Sequence, residues 1–179
     1  GKPAGVVWPF PYLYTGGVNP YLWPPITAIR TLDLPAYRLD LTPFAGLLGG
    51  THTVSIQIAN NQGYWLVAGS LFLYENHGKP TSGSVLTNTL TFPTQASTTT
   101  TGILGSASNT LLNQDAGASY TIQGSIQSGS DHWLANVTSV LRGSNDQTNV
   151  NPGYWQLVHG LQAVTTDENV TQGSTTWQR

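Results

Sequence analysis

His132-Trp-Leu-Ala-Asn-Val-Thr-Ser-Val-Leu-Arg142 is the stretch on which the fold turns. Trp133, Ala135, Val137 and Leu141 fall on one side of an extended chain, and Asn136 falls on the other. The alternation recurs in His52-Thr-Val-Ser-Ile-Gln-Ile58, where Val54, Ile56 and Ile58 share a face. Residues 64–74, YWLVAGSLFLY, are nearly all apolar. Val67, Gly69 and the aromatics favour a strand buried on both faces, bulged at Gly69. Further strands are expected at 84–92, 118–127 and 154–164. Turn signals separate them: Asn60-Asn-Gln-Gly63, Asn76-His-Gly-Lys-Pro80, Gly143-Ser-Asn-Asp146 and Asn151-Pro-Gly153. No segment keeps a helical period for three turns, so no helix longer than about two turns is expected. The class expected is all-β, a jelly-roll type of β-sandwich, as part of a larger two-sandwich protein. Val54, Ile56, Ile58, Leu66 and Leu71 are its expected core.

Composition narrows the function. Of 179 residues only 8% are Lys, Arg, Asp or Glu, against about 25% in an ordinary chain. A net charge of −2 excludes the basic footprint of a nucleic-acid binder. No apolar run reaches the roughly 18 residues of a membrane helix. There is no Cys, hence no disulfide, thiolate metal site or Cys nucleophile. Thr, Ser, Asn and Gln, about a third of the chain, keep the surface solvated without ionised groups. Such a surface suits an acidic exterior, where carboxylates are protonated. The absence of Met and Cys suits an oxidising one. The protein is therefore expected to be secreted and extracellular.

Near residue 80 the composition shifts, from Pro and aromatic residues to Thr, Ser, Asn and Gln. The expected organisation is a jelly-roll portion at 1–80 and a polar β portion at 81–179, either a second sheet or a subdomain. Gly5-Val-Val-Trp8 reads as a strand whose preceding hairpin strand is absent, and Arg179 ends in mid-pattern. A bare apolar edge invites pairing. The expected partner is a second chain of a processed precursor, or a neighbouring copy.

Residues 5–74 resemble a known family. The resemblance is carried by Gly5-Val-Val-Trp-Pro-Phe10, Tyr14-Thr-Gly-Gly-Val-Asn-Pro20, Leu22-Trp23 and Pro25. It continues in Leu32-Asp-Leu-Pro35, Leu39-Asp-Leu-Thr-Pro-Phe44, Gly46-Leu-Leu48, His52-Thr53 and Tyr64-Trp-Leu-Val67 with Leu71. The order and spacing are similar to those of the acidic peptide:N-glycosidases, the peptide-N4-(N-acetyl-β-glucosaminyl)asparagine amidase A family. The chain departs from the pattern at Pro24, where an Arg is usual, and at Ala68, where an Asp is usual. Past residue 80 the likeness is compositional.

The resemblance implies a jelly roll and a cofactor-free hydrolysis of the amide between N-acetylglucosamine and Asn. Such a reaction needs a base for water, donors for the oxyanion and a proton for the leaving nitrogen. In acid a carboxylate is a better base than a protonated His. Asp33, in the matched region, is the candidate base, with Arg30 as its charge partner; Asp33 is equally a turn residue ahead of Pro35. Asp40 reads as the cap of the Thr42-Pro-Phe turn. Trp8, Trp23, Tyr37, Tyr64 and Trp65 could stack on sugar or fill core. Trp23 in its stiff Pro-rich loop, Trp65 and the amide of Asn19 are the substrate-binding candidates. If the chemistry is retained, Asp33, Arg30, Asn19 and Trp23 share one cleft. The four His residues show no metal-ligand spacing, and His52 reads as a turn support. Asn136-Val-Thr138 and Asn169-Val-Thr171 are N-glycosylation sequons. The rival reading is a non-catalytic glycan-binding or extracellular structural (filament) β-protein of the same family.

Overall fold

The computed structural model describes residues 1–8, 36–59, 63–64, 66–75, 78–79, 81–92, 97–102, 110–150 and 155–178. Six strands form one antiparallel sheet: β1 (Thr81–Asn88), β2 (Ser97–Gly102), β3 (Thr110–Ser128), β4 (Asp131–Val150), β5 (Trp155–Gln172) and β6 (Thr175–Gln178). The order is β1-β3-β4-β5-β6, with β2 also pairing β3. The protein is all-β, consistent with a sandwich; the sheet alone does not specify a jelly-roll winding. Among the described residues the one helix is a 3-10 helix at Thr42–Leu47.

Two tight turns set the register. Ser128 pairs with Asp131, and Gln172 with Thr175, so a two-residue Gly-Ser loop closes each hairpin. Gly129 (φ 60°) and Gly173 (φ 58°) take the left-handed conformation that such loops require. From there β3 and β4 pair without a break from Ser128↔Asp131 to Thr110↔Asn149. At about 3.4 Å per residue, the 20 residues of β4 run some 65 Å.

Alternation then sorts the side chains. On the inner face lie Tyr120, Ile122, Gly124 and Ile126 of β3, and Ala135, Val137, Ser139 and Leu141 of β4, all buried. Leu90, Tyr120, Ile122 and Leu141 form the centre of the core, with Val6, Trp8, Phe44, Val85 and Ala118 packed against them.

The first residues lie across the sheet. Asn88 Nδ2 of β1 donates to the Pro3 carbonyl (2.8 Å). Gln162 Nε2 of β5 donates to the Trp8 carbonyl. Residues 3–8 are thus a strap spanning the inner face from β1 to β5. The 3-10 helix is held on the same face. Pro43 fixes φ at its start. Asp40 Oδ1 accepts from the Thr42 backbone N–H (2.8 Å) and hydroxyl, the turn role read for it. His52 Nε2 lies 3.0 Å from the Gly49 carbonyl, as a turn support should. Gly46, Gly83 and Gly124 let helix and sheet backbones touch. A Cβ on Gly46 would sit 2.6 Å from the Gly83 Cα, and one on Gly124 would strike the Pro43 carbonyl.

Three expectations change. Residues 52–58 and 66–74 form no strand; Val54, Ile56, Leu66 and Leu71 are exposed rather than core, and Ile58 is half-buried. Periodicity marked their apolar faces, but no ladder among the described residues takes them up. Gly143-Ser-Asn-Asp146 is not a turn but the middle of β4, paired with β3 on one side and β5 on the other. Its turn-forming residues are overridden by two neighbours that satisfy every backbone group. Residues 5–8 form a strap rather than a strand; the side chains of Asn88 and Gln162 hold the carbonyls of Pro3 and Trp8 at its two ends.

Candidate functional site

Between the strap and the sheet lies an open groove of about 310 Å³. Its floor is the inner face of β3, β4 and β5, through Tyr120, Val137, Ser139, Gln162 and Thr166. One wall is the strap, through Val6 and Trp8. The other is residues 36–40, with Tyr37, Arg38 and Asp40. The walls meet where the Leu39 side chain packs on Gly5, so closely that a Cβ on Gly5 would lie 2.7 Å from Leu39 Cδ1.

Each lining element follows from local sequence. Strand alternation delivers Tyr120, Ser139 and Thr166 to one face, and the Ser139↔Thr166 register brings their hydroxyls within 3.4 Å. Trp8 reaches the groove because Gln162 anchors its carbonyl. Asp40 is turned toward Thr42, so it supports the wall. The groove offers aromatic surface from Trp8, Tyr37 and Tyr120, an amide at Gln162, a cation at Arg38 and a carboxylate at Asp40. Aromatic faces beside amide and hydroxyl groups can hold a neutral polyhydroxylated ring. No cluster of metal-ligating groups occurs among the described residues.

Asn19, Trp23, Arg30, Asp33 and Trp65 lie outside the described residues. Trp8 and Ala36, the described residues on either side of the interval 9–35, both line the groove. Asn19, Trp23, Arg30 and Asp33 all belong to the interval between. Trp8 and Tyr37, two of the five aromatics singled out, line the groove. Tyr64 does not, and is largely exposed. Asn136 and Asn169 stand on the outer face, away from the groove, as direct cross-strand partners. Tyr120, Ser139, Gln162 and Thr166 carry no motif; only the register of three strands assembles them.

The groove is thus aromatic-walled, with one cation and one carboxylate, on the inner face of an antiparallel sheet. The family model for "Peptide N-acetyl-beta-D-glucosaminyl asparaginase amidase A" matches residues 1–91, and the chain belongs to that family. It is 43% identical over 76 residues to the peptide-N4-(N-acetyl-beta-glucosaminyl)asparagine amidase A of Prunus dulcis. That match covers 41% of this chain and 13% of the almond protein, so the chain spans a small part of its relative. No solved structure matches. Among the described residues no helix is long and apolar enough to cross a membrane.

Proposed function

We propose that the chain is part of a secreted, acid-adapted glycan amidase acting on the N-acetylglucosamine–Asn bond of N-glycoproteins. The observation that carries this reading is the groove at the two ends of residues 9–35. Family membership supplies the reaction class. The groove supplies a place for the sugar, with Trp8 and Tyr37 as aromatic walls and Gln162 as an amide.

Water attacks the side-chain carbonyl of the substrate Asn while Asp33 takes its proton. The C–N bond breaks, the leaving nitrogen takes up a proton, and the products are Asp and a glycosylamine. Arg30 keeps Asp33 ionised in acid. Trp23 and Trp65 stack on the sugar and Asn19 bonds its polar groups. The same reading has a second chain or neighbouring copy beside this one.

Glycan release from a glycopeptide at acid pH tests it. Asp33→Asn is expected to abolish release with the fold intact, and Trp23→Ala to raise KM more than it lowers kcat. Full release by Asp33→Asn would move the base elsewhere. Glycopeptide binding without release by the unaltered protein would leave a lectin.

A further inference from the structure

The two sequons lie 33 positions apart in sequence, yet the sheet makes them neighbours. Asn136 of β4 is the direct partner of Asn169 of β5. Both belong to the outer face: Asn136 lies between buried Ala135 and Val137, which point inward, and Asn169 shares its register. In an extended strand residues i and i+2 share a face. Each acceptor Asn therefore has its sequon Thr, Thr138 or Thr171, beside it on that face. Asn136 Nδ2 already donates to Thr138 Oγ1 at 3.4 Å. Flanking the pair are Gln123, opposite Asn136, and Gln178, opposite Asn169. The result is a row of four side-chain amides across four strands, both acceptors half-buried at its middle.

We propose that Asn136 and Asn169 form one modification site that takes a single N-linked glycan, on either Asn and never on both in the folded protein. Transfer joins the Asn Nδ2 to C1 of the first sugar of a lipid-diphosphate-linked oligosaccharide. The C1–O bond to the diphosphate breaks, and the amide nitrogen gives up a proton. One glycan fits, because Leu134, Asp167 and Gln178, which flank the pair on the outer face, are exposed and leave room beside it. Two do not. Directly opposed Cβ atoms stand only about 5 Å apart, so two branched sugar chains would rise from almost one point. A chain modified at both must keep β4 and β5 apart at Asn136↔Asn169. That breaks the ladder beside Ala135↔Val170 and Val137↔Glu168, where Ala135 and Val137 are buried on the inner face. Transfer precedes folding, so doubly modified chains form and then fail to close the sheet.

The proposal rests on the reading of the protein as secreted, because such transfer is lumenal. The test removes that dependence by adding a secretion signal and expressing the chain in a eukaryotic host. Intact mass of the folded, secreted fraction is expected to show one glycan per molecule, with peptide mapping finding each site occupied in part of the population. Asn136→Gln should drive occupancy at Asn169 to completion, Asn169→Gln should do the reverse, and the double variant should carry none. Two glycans on single folded molecules would overturn the proposal. A folded fraction without sugar at either site would also overturn it. Sugar-free material from the native source, beside singly modified material from this host, would instead overturn secretion.

Discussion

Leu141 is wholly buried against Tyr120 and Ile122, whereas Ile56 is 63% exposed. Equal hydrophobicity thus carries unequal weight. Leu141→Ala is expected to cost about 3–5 kcal/mol, the price of a core cavity. Ile56→Ala should change stability by no more than about 0.5 kcal/mol. Denaturant titration of both checks the difference, and a large loss at Ile56 would return residues 52–58 to the core. Gly124 is the opposite case, a residue whose lack of a side chain matters. Gly124→Ala puts a methyl group against the Pro43 carbonyl and should cost about 1–3 kcal/mol by overpacking. Faster hydrogen exchange at the Phe44 amide, which donates to the Leu41 carbonyl, would show that the 3-10 helix had lifted.

Among the elements, legibility tracked pairing. The strands expected at 118–127 and 132–142 form the heart of β3 and β4, because their alternation coincides with a buried face. The stretch 154–164 lies largely within β5 although its apolar residues are exposed, because the β4 ladder pairs it along its length. Their lengths were not legible. Gly143 and Asp146 are turn formers, and only two adjacent strands keep them extended. The apolar runs at 52–58 and 66–74 misled because periodicity reports which face is apolar, not whether anything covers it. For the groove, Trp8 and Tyr37 could be singled out from sequence by residue type. Gln162 could not, since its part depends on a bond to a carbonyl 154 residues away. Gln162→Leu should therefore loosen the strap and weaken binding of a glycopeptide, while Gln156→Leu, whose residue lies off the groove, should not. Equilibrium binding of the two variants makes the comparison.

At the scale of the whole molecule, the described residues leave the sheet with an edge. Over residues 155–168, β5 pairs only with β4 among the described residues, and Trp155, Leu157 and Leu161 are exposed along it. Long apolar edges recruit other strands. The chain is expected to self-associate with rising concentration, and Leu157→Lys should reduce that association without lowering thermal stability. Sedimentation at several concentrations distinguishes this edge from the exposed 66–74 run, where the Lys substitution would have no effect.

The strap also has a timetable. Trp8 leaves the ribosome 154 positions ahead of its anchor Gln162. At about 5–20 residues per second that is roughly 8 to 30 seconds of synthesis. The hairpins of β3, β4 and β5 join near neighbours and close early, whereas the strap joins distant ones and closes late. Throughout that interval residues 3–8 wait undocked, the Trp8 side chain open to any passing chaperone. The strap is made before the sheet that anchors it, and docks after that sheet has formed.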